Sequence, residues 1–312
     1  MPESILIDTD PGIDDFMAIL FALKSPELDV LALTTVFGNH YVDVTTRNAL
    51  RLLELAGRDD IPVARGAYSP LVREYSNPPT FVHGEDGMGD AGLTDEPESQ
   101  IAHTRAAQFI VEAVMARPGE ITLVPIGPLT NIAMALKLEP RLVKATKRVV
   151  LMGGAAFVAG NVSPVAEANI FNDPEAAAVV FGAGWEVVMV GLDVTTQIIM
   201  RPRYIGELAA SKSVYANLIA RIVPPYQAFH AAEYKNDGSL HTHDPAAIAY
   251  LIHPELFTTI KRRVRVDTSS SYGTGQIIVD RAGKWYTGVD TTICTNVDTA
   301  GVLRLFKERV TK

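Results

Sequence analysis

Residues 8–15 read DTDPGIDD, and four of these eight residues, Asp8, Asp10, Asp14 and Asp15, are aspartates. Two carboxylates about 4 Å apart repel by about 4 kcal/mol at an effective dielectric near 20. Asp10 stands before Pro11, so Asp10 reads as a helix N-cap and Pro11 as the first helical residue. Asp14 then lies one turn above Asp10, with Asp15 beside it. Capping and dipole compensation explain one or two acids, at about 0.3–1 kcal/mol each. They do not explain three converging at the mouth of a sheet. A bound cation does, and all-oxygen ligands favour Ca²⁺ or Mg²⁺ over zinc. A second half-site is HTHDPAAIAYLI, where Asp244 precedes Pro245 and an apolar helix, with His241 and His243 beside it. Asp244 alone reads as an N-cap; the two histidines add a functional reading.

The segment GNVSPVAEANIFNDPEAA holds Asn161, Glu167, Asn169, Asn172 and Asp173. Asn172 and Asp173 read as caps of the helix that follows. Glu167 and Asn169, two apart in an extended-looking stretch, would point the same way. A carboxylate beside an amide suits the vicinal hydroxyls of a sugar, and a solvated loop is the competing reading. His83, His40, His103, His230 and His253 read, taken singly, as surface histidines. GMGDAG at 87–92 matches a dinucleotide pattern but does not join a strand to a helix, so it carries little weight.

These residues need a scaffold. SILID (4–8) and LDVLALTTVFG read as strands; 13–24 and VTTRNALRLLELAG, ending at Gly57, read as helices. The alternation continues through EITLVPIG, LTNIAMALKL, RVVLMGG, DPEAAAVVFG and EVVMVGLD. Strands nearly continuous in Val, Ile and Leu, alternating with helices, predict an α/β fold: a largely parallel sheet covered on both faces. The polar residues follow strand ends, where ligands bind in open parallel sheets. Residues 67–98 and 222–243 read as long, functional loops. With no repeat, low-complexity tract or linker, residues 1–312 read as one domain.

The chain has 312 residues, 47% of them hydrophobic, and a net charge of -8. Such a balance disfavours nucleic acid as a partner. No apolar run is long enough to span a membrane. The one cysteine, Cys294, sits in strand-like TTICTN and reads as a buried inert thiol. With no signal-peptide pattern, this fits a reducing cytoplasm.

DTDPGIDD, FGN, TRNALRLLELAG, HGEDGMGD, LVPIGPLTNIAMAL, LMGGA, GNVSPVAEANIFNDPEAA, GLDVT and HDPAAIAYL occur in the order seen in the nucleoside hydrolases. The chain resembles the inosine–uridine-preferring branch over nearly its whole length. The resemblance implies a Rossmann-like nucleoside hydrolase fold and Ca²⁺-dependent, inverting cleavage of ribonucleosides to base and ribose. It implies Asp10, Asp15, Asp244 and the carbonyl of Ile126 as Ca²⁺ ligands, with Asp10 also the base for a metal-bound water. Asp14, Asn161, Glu167 and Asn169 would hold the ribose hydroxyls. Asn39 would help place nucleophile and substrate, and Met152 would touch the sugar. His83 would lie near the base. His243 would protonate the leaving base near neutral pH, with His241 as the backup. Tyr226, Phe229 and Tyr234 could close over the base, and a homodimer or homotetramer is expected. Asp8 is left to hydrogen bonding behind the site. Two other readings stand beside this one. A Mg²⁺ phosphohydrolase of the haloacid dehalogenase type also opens with Asp-x-Asp, but it expects Thr or Val where this chain has Gly12. A non-catalytic nucleoside- or ribose-binding protein would need no base at Asp10.

Overall fold

The computed structural model describes residues 1–312 except Thr94 and Ser270. The strands are β1 (Glu3–Thr9), β2 (Leu28–Thr35), β3 (Val63–Arg65), β4 (Thr122–Pro125), β5 (Arg148–Met152), β6 (Val187–Val190), β7 (Ile199–Met200), β8 (Leu240–His241), β9 (Phe257–Val266), β10 (Ile277–Val279) and β11 (Asp290–Val297). Nine form one sheet in the order β10-β9-β11-β6-β5-β4-β1-β2-β3; β7 and β8 pair separately. From β3 across to β11 every pairing is parallel. The β11–β9 and β9–β10 pairings are antiparallel, an edge the sequence did not foretell.

Period-two alternation sorts β1 onto two cores. Ile5 and Ile7 join a cluster with residues of the helices Ile13–Leu23, Val42–Leu55 and Asp244–Ile252. Leu6 joins the opposite cluster, with residues of the helices Ala106–Ala116, Thr130–Leu138 and Pro174–Gly182. Helices therefore cover both faces, as a parallel sheet requires. Cys294 is fully buried in β11, and burial pushes its thiol up to about 12. No helix among the described residues is long and apolar enough to cross a membrane.

Strand order explains where the chemistry gathers. From β1 the chain runs outward through β2 and β3, then starts again on the other side of β1 with β4, β5 and β6. The reversal opens a crevice between the ends of β1 and β4, the usual ligand site of an open α/β sheet. Asp10 follows β1 and Ile126 follows β4.

Several local expectations change. The first helix begins at Ile13 with Gly12 as N-cap, so Asp10 does not cap it and Pro11 is not helical. Asp244 is the first residue of its helix, and His243 takes the cap position. Asn172 ends the short helix Ala168–Asn172, while Asp173 does cap the next helix through the Ala176 N–H. Residues 222–243 are not an open loop: they hold the helix Pro224–Tyr234 and β8.

Candidate active site

Asp10, Asp14, Asp15 and Asp244 are all buried at the crevice. Asp15 is held from four directions. Its Oδ1 accepts from Thr9 Oγ1 at 2.5 Å and the Asp10 N–H at 3.2 Å. Its Oδ2 accepts from the Gly12 N–H at 3.1 Å and Asn39 Nδ2 at 2.9 Å. Asp10 Oδ2 accepts the Asn39 backbone N–H at 2.7 Å. Asp10 Oδ1 and Asp14 Oδ1 are buried with no partner. Oxygens of Asp14, Asp15 and Asp244 lie within 4.8 Å of one another. The tightest group thus contains Asp14, assigned to ribose on sequence, rather than Asp10, whose Oδ2 is drawn to the Asn39 amide.

Burial, more than anything else, raises all four acids above the usual carboxylate range. Mutual repulsion adds to it: Asp15 acts on Asp10, and Asp14, Asp15, Asp10 and Glu167 act on Asp244. Two orphaned oxygens and four crowded acids fit a hard divalent cation, which would supply the missing charge. The Ile126 carbonyl already accepts from Asn169 Nδ2 at 2.8 Å, and its second lone pair is free to serve such an ion.

Two glycines let this packing exist. A Cβ on Gly38 would stand 2.0 Å from Asp10 Oδ2, and one on Gly127 would stand 2.5 Å from Asp10 Oδ1. Gly127→Ala is therefore expected to displace the Asp10 carboxylate while the sheet stays intact. A misplacement of about 1 Å can cost roughly 100-fold in rate, so kcat/KM should fall by about that factor with an unchanged circular dichroism spectrum.

Above the acids opens a cleft of about 440 Å³. One set of its lining residues is polar and includes Asp14, Asn39, Asn161, Glu167, Asn169 and Asp244, with Met152 among them. Glu167 and Asn169 do meet here, but not along an extended strand. Glu167 caps the helix Ala168–Asn172, and its carboxylate accepts from the N–H groups of Gly154, Asn169 and Ile170. Asn169 Nδ2 also donates to the Met152 carbonyl at 3.2 Å, and Asn161 Oδ1 accepts the Ala168 N–H.

The second lining set is aromatic. His83 stacks near Tyr226 at 5.8 Å between centroids, Tyr226 lies parallel to Phe229, and Phe81 tilts against Phe229. His83 Nδ1 accepts the Ile13 N–H at 3.1 Å, which leaves its proton on Nε2 as a donor. Burial holds His83 down at about 3, hence neutral. His243 Nδ1 meets Thr195 Oγ1 at 2.8 Å. Burial first, then His241, His230 and His83, hold His243 down at about 3. At that value the ring is neutral at neutral pH, and it can offer an N–H. His241 packs against Tyr234 and is not among the cleft-lining residues.

His83, His40 and His230 are buried, not surface residues. Sequence reasoning missed His230, although Pro224-Pro225 is a helix-start signal. The i, i+4 spacing of Tyr226, His230 and Tyr234 would then have put all three on one face. Asp8 lies behind the site, where its Oδ1 accepts from Thr34 Oγ1 and Asn131 Nδ2.

The family model for inosine-uridine preferring nucleoside hydrolases matches residues 5–304. This chain belongs to that family. It is 42% identical to a probable uridine nucleosidase 2 of Arabidopsis thaliana, covering 99% of this chain and 97% of the relative. It is also 42% identical to an inosine-uridine preferring nucleoside hydrolase of Leishmania major, covering 90% and 88%. A solved plant nucleoside hydrolase, the PpNRh1 enzyme, superimposes with a TM-score of 0.96 at 39% identity, covering 100% of this chain and 99% of that one. The chain is thus an N-glycosyl hydrolase of ribonucleosides, which sets the phosphohydrolase reading aside.

Proposed function

We propose that this nucleoside hydrolase cleaves ribonucleosides with inversion, with Ca²⁺ held by Asp10, Asp15, Asp244 and the carbonyl of Ile126. One observation carries the reading: buried acids with orphaned oxygens at the floor of a cleft whose walls are polar on one set of residues and aromatic on the other. When bound, the cation polarises the attacking water and orients the ribose diol. Asp10 Oδ1, buried and unpartnered, takes the proton from that water. Asn39 holds both acids at once, Asp10 through its backbone N–H and Asp15 through its side chain. Asp14, Asn161, Glu167 and Asn169 hold the ribose hydroxyls, and Met152 packs on the sugar. Glycosidic cleavage passes through an oxocarbenium-like state, and the surrounding carboxylates favour that positive charge. The departing base rests among Tyr226, Phe229 and Phe81. His83 Nε2–H and the neutral His243 ring are its hydrogen-bond donors.

The reading is tested with a nucleoside panel that includes uridine and inosine, with and without chelator, scored as free ribose. Ribose release that chelator stops and Ca²⁺ restores is the expected result; no ribose from any nucleoside overturns it. Because His243 is neutral, kcat/KM in saturating Ca²⁺ should show no descending limb between pH 6 and pH 8. A descending limb centred near 6.5 would instead show that an imidazolium is required. We also propose, from the resemblance, a cytoplasmic homodimer or homotetramer, which light scattering on the purified chain and localisation of a tagged chain would read.

A further inference from the structure

We propose that His230, His241 and His243 form a second metal site, built from imidazole nitrogens, for a borderline-soft divalent ion of the Zn²⁺ class. One nitrogen from each ring lies within 4.8 Å of the others. The rings of His230 and His241 are 5.4 Å apart between centroids, and those of His241 and His243 are 6.0 Å apart.

The hydrogen bonding leaves nitrogens facing no partner. His230 Nδ1 lies 3.0 Å from the Tyr226 carbonyl, which can only accept, so the ring proton is on Nδ1. Its Nε2 then carries a lone pair, and it is buried without a partner. His241 Nδ1 is also buried without one. His243 has Thr195 Oγ1 on Nδ1, so an ion would take the Nε2 lone pair of the tautomer protonated on Nδ1, and zinc binding and donation of Nε2–H to the base exclude one another. A ring nitrogen tied to a carbonyl or hydroxyl is the usual outer support of a metal-ligating histidine, because it fixes the tautomer and the ring direction.

Zinc nitrogen bonds of about 2.0–2.1 Å need nitrogens about 3.4 Å apart. The rings would therefore draw in by about an ångström. His230 and His243 face the cleft, so the ion has an entry path and an open fourth position. Tyr226 and Tyr234 pack against His230 and His241 and give the site an apolar shell. The donors separate this site from the acids beneath it: nitrogen selects zinc, carboxylate oxygen selects Ca²⁺.

The test is zinc binding to the whole protein in excess Ca²⁺, by competition with a chromogenic chelator. One calcium-resistant zinc equivalent per chain is expected. His230→Gln and His241→Gln, each confirmed folded by thermal melting in Ca²⁺, should weaken it by more than the roughly 10–100-fold that loss of an outer support costs. Co²⁺ at the same site should give the intense visible bands of four-coordinate nitrogen ligation. Absence of the calcium-resistant equivalent in the wild type, or its full retention in both variants, overturns the proposal. The assay needs no turnover, so failure of nucleoside hydrolysis would leave this result standing.

Discussion

Asp10→Asn is expected to lower kcat/KM by about 10²–10⁴-fold, the range a general base contributes, while leaving the protein at least as stable. The two halves of this expectation have one cause. Asp10 is the acid with an orphaned Oδ1 and a firmly anchored Oδ2. An amide there keeps an oxygen to accept the Asn39 N–H but cannot take a proton from water. It also removes one charge from a site where burial first, and then repulsion from Asp15 and Asp14, push the Asp10 carboxyl above the usual carboxylate range. A site tuned for function holds strain that a variant relieves. Steady-state kinetics with uridine and thermal melting in chelator should therefore move in opposite directions. The variant should still bind nucleoside, which also separates an enzyme from a non-catalytic binding protein. A variant that keeps wild-type turnover removes Asp10 from the reaction.

Metal removal should destabilise the protein more at pH 8 than at pH 5. Asp14 rises from 3.8 to about 7 in the fold, and Asp10, Asp15 and Asp244 also rise. In the unfolded chain such acids lose their protons near 3.8. Between that value and about 7 the folded protein holds protons that the unfolded chain has lost, so stability falls as pH rises through this window. One pKa unit corresponds to about 1.4 kcal/mol, which puts the penalty at a few kcal/mol. A bound cation offsets it, and at 100 times Kd adds about 2.7 kcal/mol. Asp8, also raised to about 7, lies behind the cluster and should act equally with or without metal. The buried histidines shift the opposite way, and they too cancel in the difference. The gap in melting temperature between Ca²⁺ and chelator should widen from pH 5 to pH 8. A constant gap would place the cation elsewhere.

The parallel sheet and the crowding of acids after β1 were legible in the chain before folding. Both rest on local signals: apolar runs of strand length, alternating helices, and more aspartates than capping can use. Its order of motifs also carried the family. The positions of Asp10 and Asp244 relative to their helices were misread, because an Asp-Pro pair suits both the cap and the residues around it. The register was settled by Gly12 N–H bonding to Asp15 and by the helix opening at Asp244. Glu167 showed the same limit. Its three N–H donors come from Gly154, Asn169 and Ile170, and one of these lies across a turn no spacing reveals.

The histidines, by contrast, took their state from the folded surroundings. Residue type gives each ring an ordinary value near 6.5, and burial among other rings moved His83 and His243 to about 3. Only folding brought His230 from the helix Pro224–Tyr234 against His241 of β8. Acids clustered in one short segment announce themselves, because their repulsion follows from chain proximity. Histidines contributed by separate elements do not, because desolvation and tautomer depend on neighbours that only folding supplies.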